Sequence, residues 1–188
     1  MADAIIINYI SKHFGQHEAI SNYSAEISLH GATIIRGVSG AGKTTLFRLL
    51  LGLETPDSGT ILGMGSRKPA VVFQEDRLLP WATALENVAL VSDETRAKMA
   101  LCQLGLSDSI HLLPRELSGG MKRRVAIARA LAYQGDVLFL DEPFTGLDEE
   151  NKHIAAEALL ETKAPIIVIT HDEAEAALFG EHQTIFVG

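Results

Sequence analysis

The sequence predicts an α/β fold with a mainly parallel sheet, an N-terminal antiparallel β part and an inserted helical subdomain. Three observations carry that prediction. Four short apolar runs, "TIIRG", "AVVFQ", "DVLFLDEP" and "PIIVITHD", are continuous rather than alternating, as strands of a parallel sheet covered on both faces must be. Ahead of them, "AIIINYISKHFG" and "EAISNYSAEISLHG" read as two strands ending at Gly15 and Gly31. The second alternates in part (Ile20, Tyr23, Ala25, Ile27, Leu29), which suits a half-exposed antiparallel sheet. Between the second and third core runs, "ATALENVAL" and "DETRAKMALCQLGL" place apolar residues at three- and four-residue spacing, with Gly105 as a helix C-cap. The expected organisation is one domain, 1–188. Segments 1–75 and 135–188 form the core, and 76–134 forms the helical insertion.

Composition narrows the function classes. The chain has 188 residues, 47% of them hydrophobic and 21% charged, which is globular usage and enough to bury a full core. No apolar run reaches the length of a membrane span, and the N-terminus lacks a signal-peptide pattern. The one cysteine, Cys102, excludes an intrachain disulfide and fits a reducing cytosol. It is expected to be a small buried hydrophobe. A net charge of −8 argues against a protein that coats nucleic acid, so any anion site has to be built locally.

The ends of the core runs say where. "TIIRG" leads into a glycine loop, "AVVF" ends at Gln74, "VLFL" at Asp141 and Glu142, and "IIVIT" at His171. Ligands of open parallel sheets bind beyond the carboxyl ends of the strands, so these groups are expected to share one site. The loop "GVSGAGKTT" matches G-x-x-x-x-G-K-[ST] through Gly37, Gly42, Lys43 and Thr44, between an apolar strand and the amphipathic run "TTLFRLLLGL". Its glycines let successive N–H groups turn toward phosphate oxygens, and the helix N-terminus adds its dipole. Ser39, Gly40, Ala41, Gly42, Lys43, Thr44 and Thr45 are therefore expected to hold the phosphates of a nucleoside triphosphate, with Lys43 on the β- and γ-phosphates.

The same site needs a cation and a base. Thr44 hydroxyl, the Gln74 amide and Asp141, the last through water, are the expected Mg2+ ligands, and Gln74 is also an expected catalytic residue whose amide can accept from water. Glu142 is the expected base that polarises the attacking water, worth roughly 10²–10⁴ in rate. Adjacent residues of a regular strand point to opposite faces, so Asp141 and Glu142 should divide the work. His171, ending a core strand just ahead of Asp172 and Glu173, is expected to meet the γ-phosphate.

"ELSGGMKRRVAIARAL" breaks the usual rules of helix design. Cations gather where a helix begins, although the N-terminal dipole disfavours them there. Arg115, Lys122, Arg123, Arg124 and Arg129 face only Glu116, which reads as a positive, anion-receiving end; the bland alternative is a solvated basic face.

Taken together, these motifs resemble the ATP-binding subunits of ABC transporters over nearly the whole chain. "GVSGAGKTT" looks like their Walker A motif and "FQED" contains the Q-loop glutamine. "LSGGM" resembles the signature, "VLFLDEP" the Walker B motif with its catalytic glutamate, "TGLD" the D-loop with Asp148, and "ITHD" the switch-histidine loop. "VVFQEDRLLPW" is similar to importers of the nitrate, sulfonate and taurine group. The resemblance implies a P-loop NTPase (RecA-like) core and ATP with Mg2+ as cofactors. It implies a homodimer or pseudo-symmetric dimer in which Ser118, Gly119 and Gly120 of one subunit face the ATP of the other, so the anion for the opening of that helix comes from a second copy. It further implies a transmembrane permease, an extracytoplasmic solute-binding protein, no nucleic acid, and a peripheral place on the cytoplasmic face of the cell membrane. Phe14 falls where the family stacks an aromatic on adenine, with His13 or Tyr9 in its place if the register differs. Leu78, Leu79 and Trp81 fall where the permease docks.

Three departures stand out. Met121 replaces the usual Gln of the signature, so Ser118 as N-cap lacks a partner for a capping box. Thr145 opens the D-loop where Ser is common. The chain is short for the family, and no further regulatory domain is expected after Gly188. A soluble, non-transport ABC ATPase is the alternative to a transport subunit, although the long coiled-coil insertion or basic arm of the DNA-gripping members is missing. A kinase or GTPase reading leaves "LSGG" unexplained, and a binding-only module leaves Glu142 without a task.

Overall fold

The computed structural model describes residues 3–188. Strands β1 (Ala4–Phe14) and β2 (His17–Ser28) form an antiparallel hairpin, and a short strand, β4 (Ser58–Leu62), lies antiparallel on the other side of β1. Ile5, Ile7 and Ile10 of β1 are all buried although their spacing is not a strict alternation. The register slips between Ile7 and Ile10, where Tyr9 takes a left-handed φ of 48°. A bulge of one residue restores the inward face.

The second sheet is wholly parallel in its pairings. Its order is β5 (Pro69–Val72), β6 (Val137–Asp141), β7 (Ile166–Ile169), β3 (Ala32–Arg36) and β8 (His182–Phe186). The continuous apolar runs are buried on both faces, as they predict. Val137, Phe139, Ile167, Ile169 and Ile35 pack with helix α1 (Lys43–Leu50) and the antiparallel sheet. Leu138, Leu140, Ile166, Val168 and Ile34 pack on the other side with the remaining helices. Phe47 of α1 meets Phe139 edge to face, with ring centroids 5.6 Å apart, a favoured aromatic geometry.

Residues 76–134 carry α2 (Ala84–Ala89), α3 (Glu94–Gln103) and α4 (Gly119–Tyr133). Thr83 and Glu86 close a reciprocal capping box at α2, Asp93 caps α3, and Gly105 (φ 67°) follows the end of α3. The buried Asn87 amide bonds the backbone of Leu79, Ala82 and Thr83, fixing the loop that follows Gln74. Helix α5 (Glu149–Glu161) and the short α6 (Glu173–Ala177) complete the core. Among the described residues no helix is long and apolar enough to cross a membrane.

Cys102 departs from the buried place expected of it. It is exposed, accepting from Ser107 Oγ at 3.2 Å. It lies beside the buried Leu101 but on the outward face of α3, whose inward stripe is Ala97, Ala100 and Leu101.

Candidate functional site

Parallel register brings the strand ends level. Ile169 pairs with both Ile35 and Asp141, and Val72 pairs with Leu140. The residues that follow these positions therefore converge on one edge of the sheet. A cleft of about 330 Å³ opens there, with Ser39, Gly40, Gly42, Lys43, Thr44, Thr45, Gln74, Asp141 and Glu142 in its wall. Most of the predicted ATP-binding and metal-ligating residues meet in it.

The glycine loop is shaped by close approach as much as by flexibility. Gly42 is the N-cap of α1, with φ 92°. A Cβ on it would stand 2.3 Å from the Ala19 carbonyl oxygen of β2. Only glycine satisfies both the left-handed backbone and that approach. Lys43 Nζ donates to the Gly37 and Val38 carbonyls at 2.8 Å each, so the loop curls around its own lysine.

The carboxylates depart from the regular-strand expectation. Strand β6 stops at Asp141, and Glu142 takes φ 46°, a left-handed backbone that a non-glycine residue adopts only when its surroundings hold it. Both side chains consequently line the cleft instead of opposite faces. The Glu142 N–H donates to Ile169 O at 2.9 Å, and its Oε1 lies 3.2 Å from His171 Nδ1. His171 is thus joined to the base, and its ring is otherwise exposed.

Asp141 is 5% exposed, and its carboxyl is raised from 3.8 to about 6, first by burial and then by the neighbouring Glu142 charge. Arg123, Arg48 and Lys43 oppose the rise. A desolvated acid beside a threonine hydroxyl and a glutamine amide fits a hard cation that takes oxygen ligands. Among the described residues no group of three or more His, Cys, Asp and Glu could hold a metal unaided.

The other predicted residues lie apart from this cleft. Phe14 is 44% exposed at the hairpin tip, with Lys12 Nζ 5.4 Å from its ring centre. It pairs in register with His17, which does line the cleft, as does Ala19. Ser118 is the N-cap of α4 and accepts from Met121 N at 3.2 Å. Neither it nor Gly119 and Gly120 borders the cleft of its own chain. Ala41 sits in the loop without lining the cleft. Asp148 caps α5, accepting from Asn151 N at 2.9 Å. Trp81 is 74% exposed, whereas Leu78 and Leu79 are half-buried, Leu78 against the core.

The basic stretch needs the largest correction. Arg123 is 2% exposed and donates to the carbonyls of Phe73, Gln74, Asp141, Glu142 and Pro143 and to Asp76 Oδ1. Arg124 donates to Leu104 O, and Arg129 to the Asp76 and Arg77 carbonyls. Three of the five cations are therefore spent on the main chain of their own subunit and do not form an anion-receiving patch. The signal was present in the sequence: Arg123 stands four residues before Ile127, on the buried stripe of α4.

A family model described as ABC transporter matches residues 20–145. The aliphatic sulfonates import ATP-binding protein SsuB of Burkholderia ambifaria is 38% identical over 191 residues, covering 95% of this chain and 60% of that protein. A protein of the same description from Paraburkholderia xenovorans is 41% identical, covering 92% and 72%. One from Corynebacterium glutamicum is 36% identical, covering 95% and 78%. The chain thus spans three fifths to four fifths of the length of these relatives. Among solved structures, a dimeric bacterial ABC transporter cassette superposes with a TM-score of 0.85 at 29% identity, covering 97% of this chain and 94% of that one. A post-hydrolysis state of that cassette, bound to ADP and phosphate, gives the same TM-score at 28% identity.

Proposed function

The chain belongs to the ABC transporter family, and from that premise we propose that it is the ATP-hydrolysing subunit of a solute importer. The observation that carries the reading is the Glu142–His171 pair at 3.2 Å on the rim of the glycine-loop cleft. A carboxylate whose outer oxygen is held by an imidazole is oriented to take a proton from water. Ser39 to Thr45 cradle the triphosphate, Lys43 pairs with its terminal phosphates, and Phe14 offers a flat face to the adenine. Thr44, Gln74 and Asp141 would hold Mg2+, which would supply charge neutralisation at the terminal phosphates. His171 keeps Glu142 in place and meets the γ-phosphate.

Ser118, Gly119 and Gly120 stand at a helix N-terminus outside their own cleft, so their phosphate is supplied by a second copy of the chain, with Asp148 at the contact. Closing on ATP and opening after hydrolysis would drive a transmembrane permease, docked at the exposed Trp81. The protein then sits peripherally on the cytoplasmic face of the membrane, and an extracytoplasmic binding protein delivers solute. Aliphatic sulfonates, the class in the relatives' names, are the first solutes to test.

The test is Mg2+-dependent phosphate release from ATP. Wild type should turn over, and Glu142→Gln should lose turnover while still binding nucleotide. Wild type that binds ATP without hydrolysing it would refute the reading. Co-purification with a polytopic membrane protein separates the transport role from a soluble ATPase.

A further inference from the structure

We propose that Arg123 is a positioning residue for hydrolysis, the strut that ties helix α4 to the backbone of Glu142 and Gln74. The proposal rests on the ATPase reading above and adds a residue to it. The guanidinium has five N–H donors in a fixed plane. Nη2 reaches Asp141 O at 2.8 Å and Glu142 O at 2.6 Å, and Nε reaches Pro143 O at 2.9 Å. Nη1 reaches Phe73 O at 2.6 Å, Gln74 O at 3.2 Å and Asp76 Oδ1 at 3.2 Å.

The choice of acceptors matters more than their number. A buried guanidinium frequently forks onto a carboxylate. Five of these six acceptors are instead main-chain carbonyls, and they belong to the segments ending β5 and β6. One of them is the carbonyl of Glu142, whose left-handed backbone (φ 46°) is pinned at its N–H by Ile169 O. Arg123 pins the other side of the same residue. The base keeps an unfavourable conformation because both its peptide groups are held.

Ser118 caps the helix on which Arg123 lies, five positions earlier.

Two variants test this, Arg123→Gln and Arg123→Lys, each assayed for nucleotide affinity with a fluorescent ATP analogue and for steady-state turnover. Loss of aim rather than of binding should lower kcat about 10²-fold for Gln and less for Lys, which keeps the charge and some donors, with affinity within about threefold. Partial rescue by Lys is part of the expectation. Turnover of a folded Arg123→Gln within about threefold of wild type would overturn the proposal. So would affinity and turnover falling together, or neither variant folding, since either result marks a merely structural arginine. An inactive wild type would instead count against the ATPase reading itself.

Discussion

Asp141 pits stability against function in a measurable way. Its carboxyl is raised from 3.8 to about 6 by burial and by Glu142. About two units at 1.36 kcal/mol each means that ionising Asp141 costs the ligand-free fold about 3 kcal/mol. The sign follows from proton binding. Below pH 3.8 the acid is protonated in both the folded and unfolded chains and contributes no penalty. As pH rises toward 6 the unfolded chain releases the proton while the folded one keeps it, so stability falls; above 6 the loss is complete. Asp141→Asn removes the charge and nearly keeps the shape. Water entering the cleft screens part of the cost, so the variant should gain about 1–3 kcal/mol at pH 7.5 and almost nothing at pH 4.

The assay is urea denaturation of both proteins without nucleotide across that range. Comparing them isolates Asp141 from carboxylates such as Asp57, Asp93 and Asp148, which hydrogen bonds hold below their usual values and which slope the other way. Hydrolysis of Mg-ATP should be lost in the same variant, as active sites commonly trade stability for chemistry. A variant less stable than wild type at pH 7.5, or a gain independent of pH, would refute the reasoning.

Gly42→Ala should combine left-handed strain of about 1–3 kcal/mol with a clash against Ala19 O. A lower melting temperature and at least tenfold weaker binding of a fluorescent ATP analogue are the expected results, and an unchanged titration would mean that the loop tolerates a side chain there. His171→Ala removes the 3.2 Å contact to Glu142. Phosphate release should fall about 10²-fold with nucleotide affinity less affected, and full turnover would show that Glu142 needs no partner.

The parallel core was legible because its strands are buried on both faces, which leaves continuous apolar runs. Strands β4 "SGTIL" and β8 "HQTIF" went unseen for the complementary reason. They lie at sheet edges, and β8 buries only Ile185, so neither carries a periodic signal. The cleft residues were legible through motif spacing and the logic of strand ends. What spacing could not carry was the turn at Glu142, since a left-handed residue after β6 depends on hydrogen bonds from β7 and α4. Arg123 departs from the expected anion-receiving end for a related reason: its place on the buried stripe of α4 is legible, but the convergence of strand-end carbonyls that takes up its guanidinium is not. Cys102 illustrates the limit for small residues, where a shift of one position along α3 decides between core and surface.

In the proposed mechanism, hydrolysis requires one copy's Ser118 to complete the ATP site of another. The direct measurement is the solution mass of Glu142→Gln with Mg-ATP, by light scattering on a gel-filtration column. The predicted result is a species of twice the 20.3 kDa chain that returns to monomer when nucleotide is withdrawn or Ser118→Arg is added. A monomer at saturating Mg-ATP, or a dimer indifferent to Ser118→Arg, would contradict it.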